Sequence, residues 1–169
     1  MTKPKIAIRP AALRAEGPDD AETHLALVKG LALYEHEPDA VKATVADFRR
    51  HGTGPAKRFE AIIAELDDRP VGFALYFHNF STWTGKPGLY VEDLFVAESA
   101  RGHGLGRRLM ARLARIAQER DCARLDLSVL HWNKTRDFYH HLGMKHMKDW
   151  LPYRTGSDGI EKLAAEDQA

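Results

Sequence analysis

The spacing of apolar and polar residues changes along this chain, and each change marks a predicted element. Residues 5–9 alternate and predict a strand that Pro10 stops. Pro18-Asp19-Asp20 opens a helix with Leu25, Val28, Leu31 and Leu33 at helical spacing, closing around 34–38. Asp39 is a candidate cap for a second helix, with Val41, Val45 and Phe48 inward and Gly52 as its stop. Residues 59–66 and 71–80 predict strands joined by a turn over 67–70, and 81–88 a loop. Residues 90–96 form an apolar strand broken by two acids, Glu92 and Asp93. A helix follows from Gly106 to about Arg120, with Leu109, Leu113, Ile116 and Ala117 on one face and Arg108, Arg112 and Arg115 on the solvated one. Residues 124–130 read as a strand, 133–142 as a short helix closed by Gly143, and 144–148 with 150–155 as a closing hairpin. The polar tail from Gly156 has room for one or two helical turns over 160–165.

The order β-α-α-β-β-β-α-β-α-β-β describes a mixed α/β fold with helices on both sides of one sheet, too antiparallel for a doubly wound one. The 169 residues fit one domain, 1–169, with a core over about 5–155 and a tail over 156–169. No repeat or interdomain linker interrupts them.

Between the acidic strand and the long helix lies Arg101-Gly102-His103-Gly104-Leu105-Gly106. Strand, glycine turn and helix N-terminus together suit a phosphate: helix N–H groups without internal partners point at the anion, and the glycines admit it to the main chain. Arg101, Arg107 and Arg108 flank the turn as charged donors. The turn lacks the Gly-Lys-Ser/Thr ending of a Walker loop and the last spacing of a dinucleotide fingerprint. What remains is Arg-x-x-Gly-x-Gly; a merely structural connector is the competing reading.

Arg-x-x-Gly-x-Gly in this position resembles the pyrophosphate loop of the GNAT acetyltransferases. Trp83-x-Gly85, Tyr90-x-Glu92-Asp93, Trp132-Asn133 and Phe138-Tyr139 stand in the order of the spermidine/spermine N-acetyltransferase branch. Ser81-Thr82-Trp83 and Val129-Leu130-x-Trp132-Asn133 are closer still to its thialysine N-ε-acetyltransferase relatives. The likeness runs from about Ile8 to about Lys162. It implies a three-layer fold with a split, mostly antiparallel sheet, acetyl-coenzyme A as cofactor, and a homodimer. It also implies residue roles. Arg101 to Arg107, including Gly102, His103, Gly104, Leu105 and Gly106, would hold the pyrophosphate. Backbone at Phe95 and Val96, with Asn133, would hold the pantetheine arm. Glu92 would accept the amine proton through water, and Tyr139 would protonate the departing sulfur. Tyr34, Glu35, Glu37, Trp83 and Asp93 would hold the amine. On spacing alone Tyr139 reads as a core aromatic, Asn133 as a helix cap and the acids as structural charges.

Acetyl transfer to an amine needs such a proton acceptor, because an alkylammonium with a pKa of ~10.4 is almost wholly protonated at neutral pH. The implied activity is N-acetylation of a small diamine, polyamine or lysine-like amino acid by direct attack in a ternary complex. The polyamine-type relatives carry an acid where this chain has Ser81, which favours a shorter amine. The alternatives are a protein-lysine or aminoglycoside acetyltransferase, or a non-catalytic coenzyme A-binding module.

Composition narrows the partners. A net charge of +1 gives no case for nucleic acid or an acidic membrane surface. Cys122, the only cysteine, cannot form an internal disulfide. His78, His131, His140, His141 and His146 have no metal-ligand spacing, so no metal is expected. No leader-like segment or run of membrane-spanning length is evident, and a cytoplasmic location is the expectation.

Overall fold

The computed structural model describes residues 3–11 and 19–167. Strands β1 (Ile6–Pro10), β2 (Glu60–Leu66), β3 (Arg69–Ser81), β4 (Lys86–Val96) and β5 (Arg124–Leu127) make one sheet in that order. The first three pairings are antiparallel; β4 and β5 run parallel. Helices α1 (Ala21–Tyr34) and α2 (Val45–Gly52) precede β2, and α3 (Leu105–Glu119) connects β4 to β5. These elements belong to an N-terminal unit, Met1–Leu130. A second unit, His131–Ala169, carries α4 (Arg136–His141) and α5 (Ser157–Glu166).

Alternation along the strands sorts the core into two layers. Phe73, Leu75 and Phe95 pack with Ala21 and Leu27 of α1 and Phe48 of α2. Ile62, Ala74 and Tyr76 point the other way, toward α3, whose Leu105, Leu109 and Leu113 are fully buried. The β2–β3 turn is two residues, Asp67 (φ 51°) and Asp68 (φ 61°), between paired Leu66 and Arg69. Positive φ at both positions matches the right-handed twist of the flanking strands, and aspartate tolerates it.

Two irregularities of β4 shape the site. Leu75 pairs with Asp93 and Tyr76 with Val91, so Glu92 is the extra residue of a β-bulge. Simple alternation would put Val91 and Asp93 on one face. The bulge instead leaves Val91 facing α3 with Tyr76 and turns Asp93 toward α1 with Leu75. Second, the β4–β5 ladder ends at Val91↔Leu127, while β4 continues to Val96 beside β3 alone. The sheet is therefore split beyond Val91, as expected.

Several sequence-based boundaries are corrected. The cap of α2 is Thr44, not Asp39: Thr44 Oγ1 accepts the Asp47 N–H, and the Asp47 carboxylate accepts the Thr44 N–H. Val41 lies outside that helix. Strand β5 stops at Leu127 rather than 130, and α4 begins at Arg136 rather than 133. The hairpin expected over 144–155 does not form among the described residues. Apolar alternation there supplies no ladder partner, and Trp150, Leu151 and Tyr153 remain exposed. The tail instead holds the ten-residue α5, longer than one or two turns. Pro18, expected to open α1, lies outside the described residues.

Candidate active site

The glycine turn follows β4 and a single 3-10 turn, Glu98–Ala100. Gly102 (φ 82°) and Gly104 (φ 73°) both have left-handed backbone, and Gly104 is the N-cap of α3. No side chain caps this helix and no acid occupies its first turn. The first helical bond runs from the Arg108 N–H to the Gly104 carbonyl. The preceding N–H groups thus lie ahead of the helical ladder, at the positive end of the dipole. A Cβ built on Gly102 or Gly104 would have no neighbour within 4 Å, so the surface is open to a ligand. Arg107 and Arg108 are exposed beside it. His103 Nδ1 lies 3.2 Å from the Ala100 carbonyl and 3.1 Å from that of Arg101. Carbonyls only accept, so Nδ1 carries the hydrogen. Together these groups fit a phosphate-bearing cofactor.

Leu105 and Phe95 are core side chains, so only their backbone groups are on offer. Val96 is half-buried at the end of β4, in the split.

A group of acids lies on the α1 side of the sheet. Asp93 is half-buried, and its carboxyl is pushed up to about 6, first by burial, then by Glu92 and Glu35. Burial also raises Glu35, which caps the C-terminus of α1. Glu92 is exposed at the bulge. A half-buried carboxyl raised by burial and by two neighbouring carboxylates favours a cation beside it. Tyr34 ends α1, with the Arg101 guanidinium 4.7 Å from its ring centroid. Arg101 Nε also lies 3.4 Å from the Val96 carbonyl.

Two other expected site residues of the first unit, Glu37 and Trp83, lie apart from this acid group. Glu37 is exposed in the turn after α1 and is not among the charges that act on Asp93. Trp83 is 90% exposed at the tip of the β3–β4 hairpin, beyond the last pair, Ser81↔Lys86. Six residues of strand lie between Lys86 and Asp93, roughly 20 Å, so within one chain Trp83 and the acids are not brought together. Ser81 is buried and accepts the Thr84 N–H, a turn-forming role. In the second unit, Asn133 is buried and its Oδ1 accepts the Thr135 N–H at 2.9 Å, shaping the entry to α4. Tyr139 is half-buried on α4, its ring packed edge-on to Phe138 at 5.1 Å.

Sequence reasoning singled out Glu92 and Asp93 but missed the bulge that reorients them. Two adjacent acids in an apolar strand were its one available signal.

The chain belongs to the Acetyltransferase (GNAT) family, whose pattern matches residues 26–144. It is 31% identical over 159 residues to "Thialysine N-epsilon-acetyltransferase" of Bos taurus, covering 87% of this chain and 93% of that one. It is 33% identical to "Spermidine/spermine N(1)-acetyltransferase-like protein 1" of Homo sapiens, covering 88% of this chain and 23% of that longer protein. Among solved structures, an integron cassette protein of V. cholerae superposes with a TM-score of 0.76 at 29% identity, covering 94% of this chain and 97% of that one. The protein is thus an N-acetyltransferase of the spermidine/thialysine branch, a family that uses acetyl-coenzyme A.

Proposed function

We propose that the enzyme acetylates the primary amine of a small diamine, polyamine or lysine-like amino acid by direct attack in a ternary complex, with the lysine-like class preferred. The observation that carries this reading is the acid group at Asp93, whose ionisation burial and the carboxylates of Glu92 and Glu35 oppose. An alkylammonium placed there relieves that repulsion. The thialysine relative supports the lysine-like preference, as does Ser81 in place of a further acid.

Acetyl-coenzyme A supplies the thioester carbonyl. The glycine turn, with Arg101 and Arg107, holds its pyrophosphate; backbone at Phe95 and Val96 pairs with its pantetheine arm, and Asn133 adds a hydrogen bond. Asp93 and Glu35 anchor the amine cation. Glu92, exposed to water at the bulge, receives the proton that the amine must lose. Tyr139 returns a proton to the sulfur. The enzyme acts as a homodimer in the cytoplasm.

The test is thiol release from acetyl-coenzyme A across thialysine, lysine, ornithine, putrescine, spermidine, an aminoglycoside and a lysine peptide. Turnover confined to lysine-like amines is the expected result. Preference for spermidine would show that Glu35 and Asp93 suffice for a polycation. Turnover of the peptide alone would overturn the small-amine reading.

A further inference from the structure

The face of the sheet away from Asp93 holds a second feature, which the acetyl-transfer reading leaves unused. A cavity of ≈ 410 Å³ opens between the C-terminal half of α3, the start of β2 and the loop after α2. Ile62, Tyr76 and Ile116 give it an apolar floor. The charges around it are uneven: Lys57, Arg112 and Arg120 face Glu60 and Glu119.

Both acids are already engaged. Arg120 forks onto the two Glu60 oxygens and Lys57 lies 3.3 Å from one of them, which holds the Glu60 carboxyl down at about 2. Glu60 is therefore ionised and twice compensated. Glu119 is held by Arg115 at 2.8 Å, a residue outside the cavity. Arg112 joins no ion pair among the described residues. The walls thus present a surplus of positive charge and an arginine whose planar donors are uncommitted. Tyr76, buried at the floor, adds a phenol.

We infer that this cavity binds a compact organic anion, a small polycarboxylate or phosphate ester, through Arg112. Charge-assisted bonds to a guanidinium suit both chemistries, and the volume suits a metabolite rather than a macromolecule. This site is separate from the glycine turn at the other end of α3.

Calorimetric titration tests it, with citrate in one arm and glycerol 3-phosphate in the other, at constant ionic strength, with and without saturating coenzyme A. One of the two anions should bind with one-to-one stoichiometry in the presence of coenzyme A, and the responding arm names the class. Arg112→Ala should weaken that binding at least tenfold, and Arg112→Glu should abolish it. Arg50→Ala, an equal charge loss on α2 outside the cavity, should leave it unchanged. No binding of either anion, or equal weakening by Arg112→Ala and Arg50→Ala, overturns the inference. Failure of coenzyme A itself to bind would count against the acetyl-transfer reading and would leave the anion result standing.

Discussion

The Arg101 guanidinium lies over the Tyr34 ring, 4.7 Å from its centroid. Arg101 belongs to the glycine turn and Tyr34 to the last turn of α1, so the contact ties the glycine turn to the helix that presents Glu35. A partly exposed cation–π contact contributes about 0.5–1 kcal/mol. If it holds Arg101 in place for the cofactor, Tyr34→Leu should weaken coenzyme A binding about two- to fivefold. Tyr34→Phe keeps the ring and should bind nearly as the parent does. Equal losses in the two variants, measured by calorimetry, would assign the effect to the hydroxyl.

On the proposed role, Asp93 should set the acid limb of the pH profile. Its carboxyl ionises near 6, so its charge is present above that pH and lost below it. The amine kcat/KM should therefore fall on the acid side with an apparent pKa of about 6. Glu92→Gln removes one of the charges that raise Asp93, and the limb should move to lower pH even as turnover drops. Asp93→Asn should remove the limb along with most of the activity. An unmoved limb in Glu92→Gln would mean that a different group titrates there.

Tyr139→Phe separates the proposed acid from a packing role. The ring contact with Phe138 survives this change. Turnover should fall about 10²-fold or more, in the range of general acid catalysis, while coenzyme A affinity holds. Unchanged turnover would remove Tyr139 from the chemistry.

Local signals in the chain carried most of the fold and part of the site. The Asp67-Asp68 turn and the glycine-opened α3 were legible because single residues with special backbone needs marked them. Thr44 was legible in principle, since Thr44-x-x-Asp47 is a capping pattern, whereas Asp39 is followed three residues later by Lys42. The bulge at Glu92 was not legible. It is a register relation between β3 and β4, and the alternation within β4 does not contain it. The strands expected over 144–155 failed for a related reason: alternation describes a face but says nothing about a neighbouring strand. The cavity beside Arg112 escaped because its charges come from separate elements, and on α3 alone Arg112 reads as a solvated side chain.

His24 and Asp93 should give stability opposite slopes with pH. His24 is wholly buried, against Phe48 and Phe73, and burial pushes its imidazole down to about 4, with Asp20 acting weakly the other way. The unfolded chain binds that proton near 6.5, so stability falls as pH drops from about 6.5 to about 4, by up to ~3 kcal/mol. Asp93 is raised above its unfolded 3.8, so the folded state binds its proton first and stability rises as pH falls through about 6. In the parent the two slopes largely offset each other. In His24→Phe the opposing histidine slope is removed and stability should rise as pH falls through about 6; in Asp93→Asn it should fall more steeply than in the parent. Urea unfolding between about pH 4 and about pH 7 reads the slopes independently of any constant packing cost. Parallel profiles for all three proteins would exclude both groups.

Gly104 distinguishes a ligand-binding turn from a connector. Its φ of 73° strains any side chain, and a left-handed residue costs roughly 1–2 kcal/mol. A Cβ there meets no protein atom within 4 Å, so strain is the only internal penalty. Gly85, at the tip of the β3–β4 hairpin, has φ 66° and equally open space, and so is a matched control. Gly104→Val and Gly85→Val should therefore lose similar stability, by about 1–2 kcal/mol in thermal or urea unfolding. Only Gly104→Val puts methyl groups where an anion must approach the first N–H groups of α3. Its coenzyme A affinity should fall about tenfold or more, while that of Gly85→Val stays near the parent value. Equal affinity in the two variants would make the turn a connector, and the cofactor would then have to be held by Arg101, Arg107 and the open edge of β4.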